Sequence, residues 1–365
     1  MNVPFVDFSK QYQSVKEQVD AGIKSVCERG AFILGPEEKA FEEAFAKYCG
    51  VKHAIGLNSG TDALFLALKS VGVKPGDEVI VPSMTFIATA LGVSYIGAKP
   101  VFADAEDDTC NIDPESIKKV ITKKTKAIIP VHLYGQSATM DPILALAKKH
   151  GIAVIEDACQ GHGALYKGNR VGSMGDAGCF SFYPTKGLGA FGDGGMIITD
   201  RDDLAAQARM FRDYGRTDRY AHKFIGYNSR LDTVQAVVLN AKLPHLDEWN
   251  NMRIKHAAYY AKLLKGVKGI KLPTVASDRN HVYQTFAVRV ANRDKVIDGL
   301  KAKGVGALIH YPIPVHLQEA YADLKYKKGD FKVAERLSNE VLSLPMFPHM
   351  TKEQIEYVCM ALKEI

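Results

Sequence analysis

A lysine at position 186 sits in the glycine-rich run Ser181-Phe-Tyr-Pro-Thr-Lys-Gly-Leu-Gly-Ala-Phe-Gly-Asp-Gly-Gly195, downstream of an apolar stretch that ends in acids, Val154-Ile-Glu-Asp157. An amine held on a tight turn can form a Schiff base with an aldehyde, and a carboxylate at the end of a buried strand can keep a pyridine nitrogen protonated. Those are the two requirements of pyridoxal phosphate chemistry. A lone lysine is commonplace in surface loops, and only its neighbours distinguish this one. Asp157 follows the apolar segment Ile152–Ile155, where an ionised carboxylate is costly unless it is paired. A pyridinium N–H is one partner that would stabilise it, and a helix cap or salt bridge is the alternative.

Further residues could serve the same cofactor. Asn58-Ser-Gly-Thr-Asp-Ala-Leu64 stands between a short apolar run and an apolar-periodic helix. Free N–H groups at a helix start bind phosphate, Gly60 allows close approach and the Thr61 hydroxyl adds a donor, while Ser59 to Asp62 also reads as a plain helix cap. Ser181 lies five residues before Lys186 and either reaches that phosphate or is a satisfied strand serine. Phe86 is expected to open a helix after Pro82-Ser-Met-Thr85, with its ring stacked on a flat ligand or packed in the core. Gln160 and His162, in Asp157-Ala-Cys-Gln-Gly-His-Gly163, could each reach a ring oxygen. Neither GxxxxGK[ST] nor GxGxxG occurs, so nucleotide hydrolysis and dinucleotide binding find no support.

These residues need strand ends and helix starts to hold them. Glu78–Pro82, Pro100–Ala103, Ala127–Val131, Ile152–Glu156 and Gly195–Thr199 read as buried strands, Ala54–Leu57 is a short apolar run, and Gly178–Tyr183, if a strand, leads into the lysine turn. Helical periodicity fills Thr61–Val71, Phe86–Ile96, Pro114–Ile121 and Pro142–His150 between them. The alternation predicts an α/β fold with a mostly parallel central sheet flanked by helices, its ligands at the carboxyl ends of the strands. Helices Ser14–Arg29 and Pro36–Tyr48, each followed by glycine, come first. A long helical stretch from Leu231 to Leu264, interrupted by Pro244, is expected to bridge two units: a large domain, 1–240, and a smaller C-terminal α+β domain, 241–365. The smaller unit is read as strand His281–Val290, helix Asp294–Lys303 and strand Ala307–Tyr311, closed by helices Asp330–Val341 and Thr351–Glu364.

A chain of 365 residues is long enough for two cores without a metal or disulfide staple. No run is long enough for a membrane span, and Met1-Asn-Val-Pro-Phe-Val-Asp7 lacks the pattern of a secretory signal. The six cysteines are scattered without a CxxC pair, as in a reduced, cytoplasmic protein. The net charge of +6 is spread along the chain, which argues against a nucleic-acid binder. The densest basic cluster, Arg212, Arg216, Arg219 and Lys223, is either a solvated loop or a site for a compact anion such as a nucleotide diphosphate.

In combination the motifs resemble the DegT/DnrJ/EryC1/StrS aminotransferases, fold-type-I pyridoxal phosphate enzymes that aminate nucleotide-linked keto-sugars. The resemblance runs through Gly30-Ala-Phe-Ile-Leu-Gly-Pro36, Asn58–Ala63, Val131-His-Leu-Tyr-Gly-Gln136, Glu156–Ala158, Phe180–Lys186, Gly226-Tyr-Asn-Ser-Arg-Leu-Asp232 and His310-Tyr-Pro-Ile-Pro314, nearly the whole chain. It implies that Lys186 is the Schiff-base lysine, Asp157 the partner of the pyridine nitrogen and Gln160 a contact to the ring oxygen. It further implies a phosphate cradle of Ser59, Gly60, Thr61 and Ser181, a stacking Phe86, and Asn228 reaching the phosphate of a neighbouring subunit across a homodimer with shared active sites. Tyr183, His310, Tyr311 and His316 match positions that contact the nucleotide sugar. L-Glutamate is the implied amino donor, leaving as 2-oxoglutarate with pyridoxamine phosphate as intermediate, and no metal is implied. Lys186, where some relatives carry histidine, argues against a sugar dehydratase. A lyase, or a regulatory protein on the same fold, is the remaining alternative. The glycine-rich lysine turn is more like that of members aminating C3 of 3-keto-6-deoxyhexoses, on a dTDP- or UDP-linked sugar.

Overall fold

The computed structural model describes residues 1–365. Strands β1 (His53–Leu57), β2 (Glu78–Pro82), β3 (Lys99–Ala103), β4 (Thr125–Ile128) and β5 (Ala153–Asp157) join β8 (Ala177–Ser181) and β9 (Gly195–Thr199) in one sheet, while β6 (Leu165–Tyr166) and β7 (Asn169–Arg170) form a separate hairpin. The order is β1-β9-β8-β5-β4-β2-β3. Every pairing from β8 to β3 is parallel, whereas β9 is antiparallel to both neighbours. Parallel neighbours need a long crossover. The lysine turn between β8 and β9 contains no helix, so the chain returns antiparallel.

Three helices, α1 (Ser9–Gln13), α2 (Lys16–Arg29) and α3 (Pro36–Cys49), precede the sheet. The predicted helix Ser14–Arg29 is α2, which starts at Lys16 because Val15 leaves helical backbone at φ −126°, and α1 is a short additional helix before it. Gly30 and Gly50 end α2 and α3 with φ of +70° and +73°, the left-handed cap that glycine accepts without strain. Helices α4 (Gly60–Ser70), α5 (Ala88–Ser94), α6 (Pro114–Val120), α7 (Met140–His150) and α8 (Asp202–Arg212) cover the sheet. Alternation along each strand sends side chains to opposite faces. Val79 and Val81 of β2 and Ile155 of β5 join the core under α4 and α5, while Ile80 and Val154 pack with Ile143 and Ala147 of α7. The next two residues of β5 continue that alternation: Asp157 shares the α4 and α5 face, and Glu156 the opposite one.

Helix α9 (Thr233–Lys242) passes through a short turn at Pro244 into α10 (Leu246–Leu264). The first part of α10 places Leu246 in the large-domain core, whereas Ala257, Tyr260 and Leu264 belong to a separate C-terminal core. There, β10 (Ile270–Lys271), β11 (Phe286–Val290) and β12 (Val341–Leu344) form a small antiparallel sheet with α11 (Arg293–Ala302), α12 (Lys332–Glu340) and α13 (Lys352–Lys363). Two strand expectations change. Of His281–Val290 only Phe286–Val290 pairs as a strand, because Val282 is drawn into the large-domain core. Ala307–Tyr311 contributes one bridge, Leu308 to Ser343, and the edge is completed by β12, of which the sequence pattern covers only Val341, as the end of helix Asp330–Val341. The extreme N-terminus packs on this half as well: Val3 donates to the Gly304 carbonyl at 2.9 Å and lies in the C-terminal core.

Candidate active site

The carboxyl ends of β5 and β8 open into a cavity of about 380 Å³. Lys186, Asp157, Ser59, Gly60, Thr61, Phe86, Gln160, Ser181, Tyr183, His310 and Tyr311 all line it. The lysine turn is held from three directions. Within it, the Lys186 amide donates to the Tyr183 carbonyl at 2.9 Å. From outside, the Gln284 amide donates to the Thr185 carbonyl at 2.8 Å, and the Lys242 ammonium to the Gly189 carbonyl at 2.7 Å. Lys242 is fully buried on α9, and burial lowers its pKa to about 8. A buried cation placed on that carbonyl fixes the turn from below.

Asp157 is 5% exposed. One carboxylate oxygen accepts from the Thr89 hydroxyl at 2.8 Å, the other from the Cys159 amide at 3.2 Å. No basic side chain pairs with it, so the salt-bridge alternative is absent and the carboxylate faces the cavity. The adjoining Glu156 serves the opposite side of the sheet. It is wholly buried and accepts from the amides of Gly172, Met174 and Gly175, each at 2.7 Å, and from His132 Nε2 at 2.8 Å. In Glu156-Asp157 one acid therefore anchors a loop and the other faces the site.

At the start of α4 the Ser59 hydroxyl accepts from the Asp62 amide at 3.1 Å, so the capping role is real. The same helix start faces the cavity with its first-turn N–H groups. A methyl at Gly60 would lie 2.6 Å from Cβ of Ser181 and 2.8 Å from Sγ of Cys159. One at Gly195 would lie 2.1 Å from the Ser59 carbonyl oxygen. Glycine at both positions lets α4 close down on β8 and β9, leaving a cradle of hydroxyls and helix amides at this end of the cavity.

Above the cradle, Phe86 precedes α5 instead of opening it and is 53% exposed, with its ring 5.6 Å from that of Tyr311. The two rings leave an open aromatic face over the cavity. Gln160 accepts from the Tyr134 amide at 2.8 Å and donates to the Tyr311 hydroxyl at 3.1 Å, which fixes its orientation. Burial, then the charge of Lys186, lowers the pKa of His310 to about 4, so this imidazole is neutral at physiological pH. His310 Nδ1 lies 2.8 Å from the Ser343 hydroxyl.

Some sequence-derived positions fall elsewhere. Of the two candidates for the ring oxygen only Gln160 lines the cavity; His162 is buried behind the lysine turn between Phe180 and Phe182. His316 also lies outside: its side chain is inaccessible, with Nδ1 at 2.6 Å from the Ser83 hydroxyl and Nε2 at 3.3 Å from Glu335. It packs against Phe331 and supports the loop that leads into Phe86, so direct substrate contact by His316 is corrected to a packing role. Asn228 is exposed and does not line its own chain's cavity; it accepts from Arg230 at 2.7 Å. The basic cluster divides. Arg212 is buried against Glu38, Glu42 and the Gly56 carbonyl, Arg216 pairs with Asp213, and Arg219 and Lys223 stay at the surface. It forms no single anion pocket. Thr89 was missed by the sequence reading, and its only signal was its place three residues after Phe86, one helical turn on the same face.

Over residues 13–363 the chain matches the DegT/DnrJ/EryC1/StrS aminotransferase family. It is 47% identical over 362 residues to the dTDP-3-amino-3,4,6-trideoxy-alpha-D-glucose transaminase of Streptomyces venezuelae, covering 99% of this chain and 96% of that protein. It is 45% identical over 361 residues to the UDP-N-acetyl-3-dehydro-alpha-D-glucosamine 3-aminotransferase of Acidithiobacillus ferrooxidans, covering 99% and 97%. Among solved structures, S. venezuelae DesV in complex with ketimine intermediate superposes with a TM-score of 0.97 at 46% identity, over 100% of this chain and 98% of that one. An amine, an unpaired acid and a helix start with hydroxyls in one cavity thus coincide with kinship along almost the entire chain, which belongs to the DegT/DnrJ/EryC1/StrS family of pyridoxal phosphate-dependent aminotransferases.

Proposed function

We propose that this enzyme transfers an amino group from L-glutamate to C3 of a dTDP- or UDP-linked 3-keto hexose, giving 2-oxoglutarate and a nucleotide-linked 3-amino sugar. The observation that carries the reading is the joint exposure of Lys186 and Asp157 to the cavity above the Gly60 cradle. Pyridoxal phosphate, when bound, supplies the electron sink that makes a proton on the adjacent carbon acidic. The chain supplies the rest. Ser59, Gly60, Thr61 and Ser181 hold the phosphate with hydroxyls and helix N–H groups, and Phe86 covers the ring. Asp157, itself oriented by Thr89, keeps the ring nitrogen protonated, and Gln160 donates to the ring oxygen. Lys186 anchors the cofactor and is the proton carrier: its Nζ removes the proton from the donor's Cα, and in the second half returns one to the sugar carbon that gains nitrogen. Tyr183, His310 and Tyr311, which line the same cavity, contact the sugar in this reading.

The arm 213–228 supports a shared-site homodimer. It carries Tyr220 at 80% and Ile225 at 88% exposure, an apolar cost for an isolated chain. In this reading Asn228, exposed at its base, reaches the phosphate of a partner's cavity. Mixing Lys186→Ala and Asn228→Ala chains, each inactive alone, is expected to restore activity through one intact composite site; no recovery in a mixed dimer would count against sharing. Six free cysteines are in keeping with a reduced cytoplasmic setting.

The main test is direct. The purified chain with pyridoxal phosphate should give a visible absorbance that Lys186→Ala abolishes. With glutamate and a panel of nucleotide-linked keto-sugars it should then release 2-oxoglutarate, with NMR locating the new amine at C3. An amine at C4, or elimination without 2-oxoglutarate, would overturn the assignment.

A further inference from the structure

Lys186 lines a second cavity as well, of about 300 Å³, which shares Gln160, Tyr183, Thr185, His310 and Tyr311 with the first. Its far wall is made by the N-terminal segment around Phe5 and Gln11, by Met346 and Phe347 of the small domain, and by Arg253 of α10. Arg253 is 5% exposed, yet no carboxylate pairs with it. Its one side-chain partner is Asn250 Oδ1 at 3.3 Å, and its Nε, shielded from solvent, has none. Burial alone lowers its pKa to about 10, still well above physiological pH, so the guanidinium remains charged. Leaving a buried cation without a counter-ion costs stability, and an enclosed chamber beside the reactive lysine is where such a cost is recovered by an anionic ligand. His162 is held neutral with a pKa of about 3 by burial and by the charges of Lys186 and Arg253, and it has no hydrogen-bond partner on either nitrogen. It adds no competing charge.

Resting on the transaminase reading above, we infer that this second cavity is the amino-donor subsite and that Arg253 binds a carboxylate of the donor through its guanidinium fork. The ligand class is an α-amino dicarboxylate and its keto-acid product. The sugar nucleotide makes no use of Arg253.

Glutarate, a dicarboxylate that lacks the reacting amine, is the probe. Calorimetry on the cofactor-loaded enzyme is expected to show glutarate binding weakened roughly 10–100-fold in Arg253→Met, with partial recovery in Arg253→Lys. The KM for glutamate should rise in step while the KM for the keto-sugar stays unchanged. Unaltered glutarate binding in Arg253→Met would overturn the inference, as would a loss confined to the sugar nucleotide. Should Arg253→Met fail to fold, Arg253→Lys, which keeps the buried charge, decides by the same two readouts. Wild-type enzyme that binds glutarate but releases no 2-oxoglutarate would defeat the transaminase reading and leave the carboxylate site standing.

Discussion

Asp157 and Gly60 show how single positions set the chemistry. Replacing Asp157 with Ala removes the buried carboxylate proposed to pair with the ring nitrogen while leaving the cradle intact. Both half-reactions should slow on the order of 100-fold or more, with cofactor affinity changed little. Stopped-flow absorbance with glutamate and then keto-sugar checks this, and near-normal turnover would refute the role. Gly60→Ala should do the reverse. The new methyl meets Ser181 at 2.6 Å and Cys159 at 2.8 Å, so α4 must move away from β8 at about 1–3 kcal/mol, and the phosphate grip loosens. A cofactor titration should show weaker binding, and the thermal midpoint should fall. Lys186, Asp157 and Gln160 were legible because each sits in a short segment whose residue types have few other uses together. Arg253 was not, since Asn250-Asn-Met-Arg253 reads as the polar face of a helix, and burial depends on what the distant N-terminal segment and Met346–Pro348 place over it. His316 erred the other way: a histidine beside Tyr311 along the chain is turned from the cavity by Ser83 and Glu335.

The strand end at β5 is the element on which the site depends. Its alternation sends Asp157 toward α5 and Glu156 toward the loop 172–175, so the two acids cannot exchange roles without a register slip. Removing the Glu156 carboxylate, itself wholly buried, strips three backbone amides and His132 of their acceptor. Glu156→Ala should therefore destabilise by about 3–5 kcal/mol, read from the denaturant midpoint, and activity should fall through misplaced Asp157. A midpoint within error of wild type would show that water replaces the carboxylate. Most strands and helices of the large domain were legible because buried parallel strands are short, Val- and Ile-rich and separated by helical periodicity. The small domain was less so. Val341–Leu344 follows α12 without a break, and only pairing to β11 reveals it as a strand. We propose two units, 1–240 and 241–365, bridged by α10, whose Leu246 packs in the large-domain core and whose Ala257 packs in the C-terminal one, with Val3 docked on the C-terminal unit.

At the scale of the whole molecule, α3, β1 and α8 are joined by a buried ionic cluster that leaves a pH signature on stability. Arg212 donates to Glu38 at 3.0 Å, Glu42 at 2.6 Å and the Gly56 carbonyl at 2.8 Å, while Arg209 donates to Glu42 at 2.9 Å. Two carboxylates compete for these cations in a site where ionised groups are poorly solvated. Glu38 bears the cost: burial, only partly offset by Arg212, raises its pKa from 4.5 to about 7. A carboxyl group with a raised pKa in the folded state favours folding fully below its unfolded value, and that contribution is lost as pH rises through the folded value. The window therefore runs from about pH 4.5 to 7. Its full amplitude corresponds to about 3 kcal/mol, taken as an order of magnitude. Glu38→Gln cannot ionise, and Arg212 keeps Glu42 and the Gly56 carbonyl, so the variant should be insensitive to this term. Measured side by side, the thermal midpoint of Glu38→Gln relative to wild type should rise between pH 5 and pH 8. If the difference stays flat or falls over that range, Glu38 is ionised at pH 5 in the folded chain and the cluster holds two full negative charges. Lys186 and Asp157 lie outside the cluster, so cofactor absorbance measured at each pH separates a change in folding from a change at the active site.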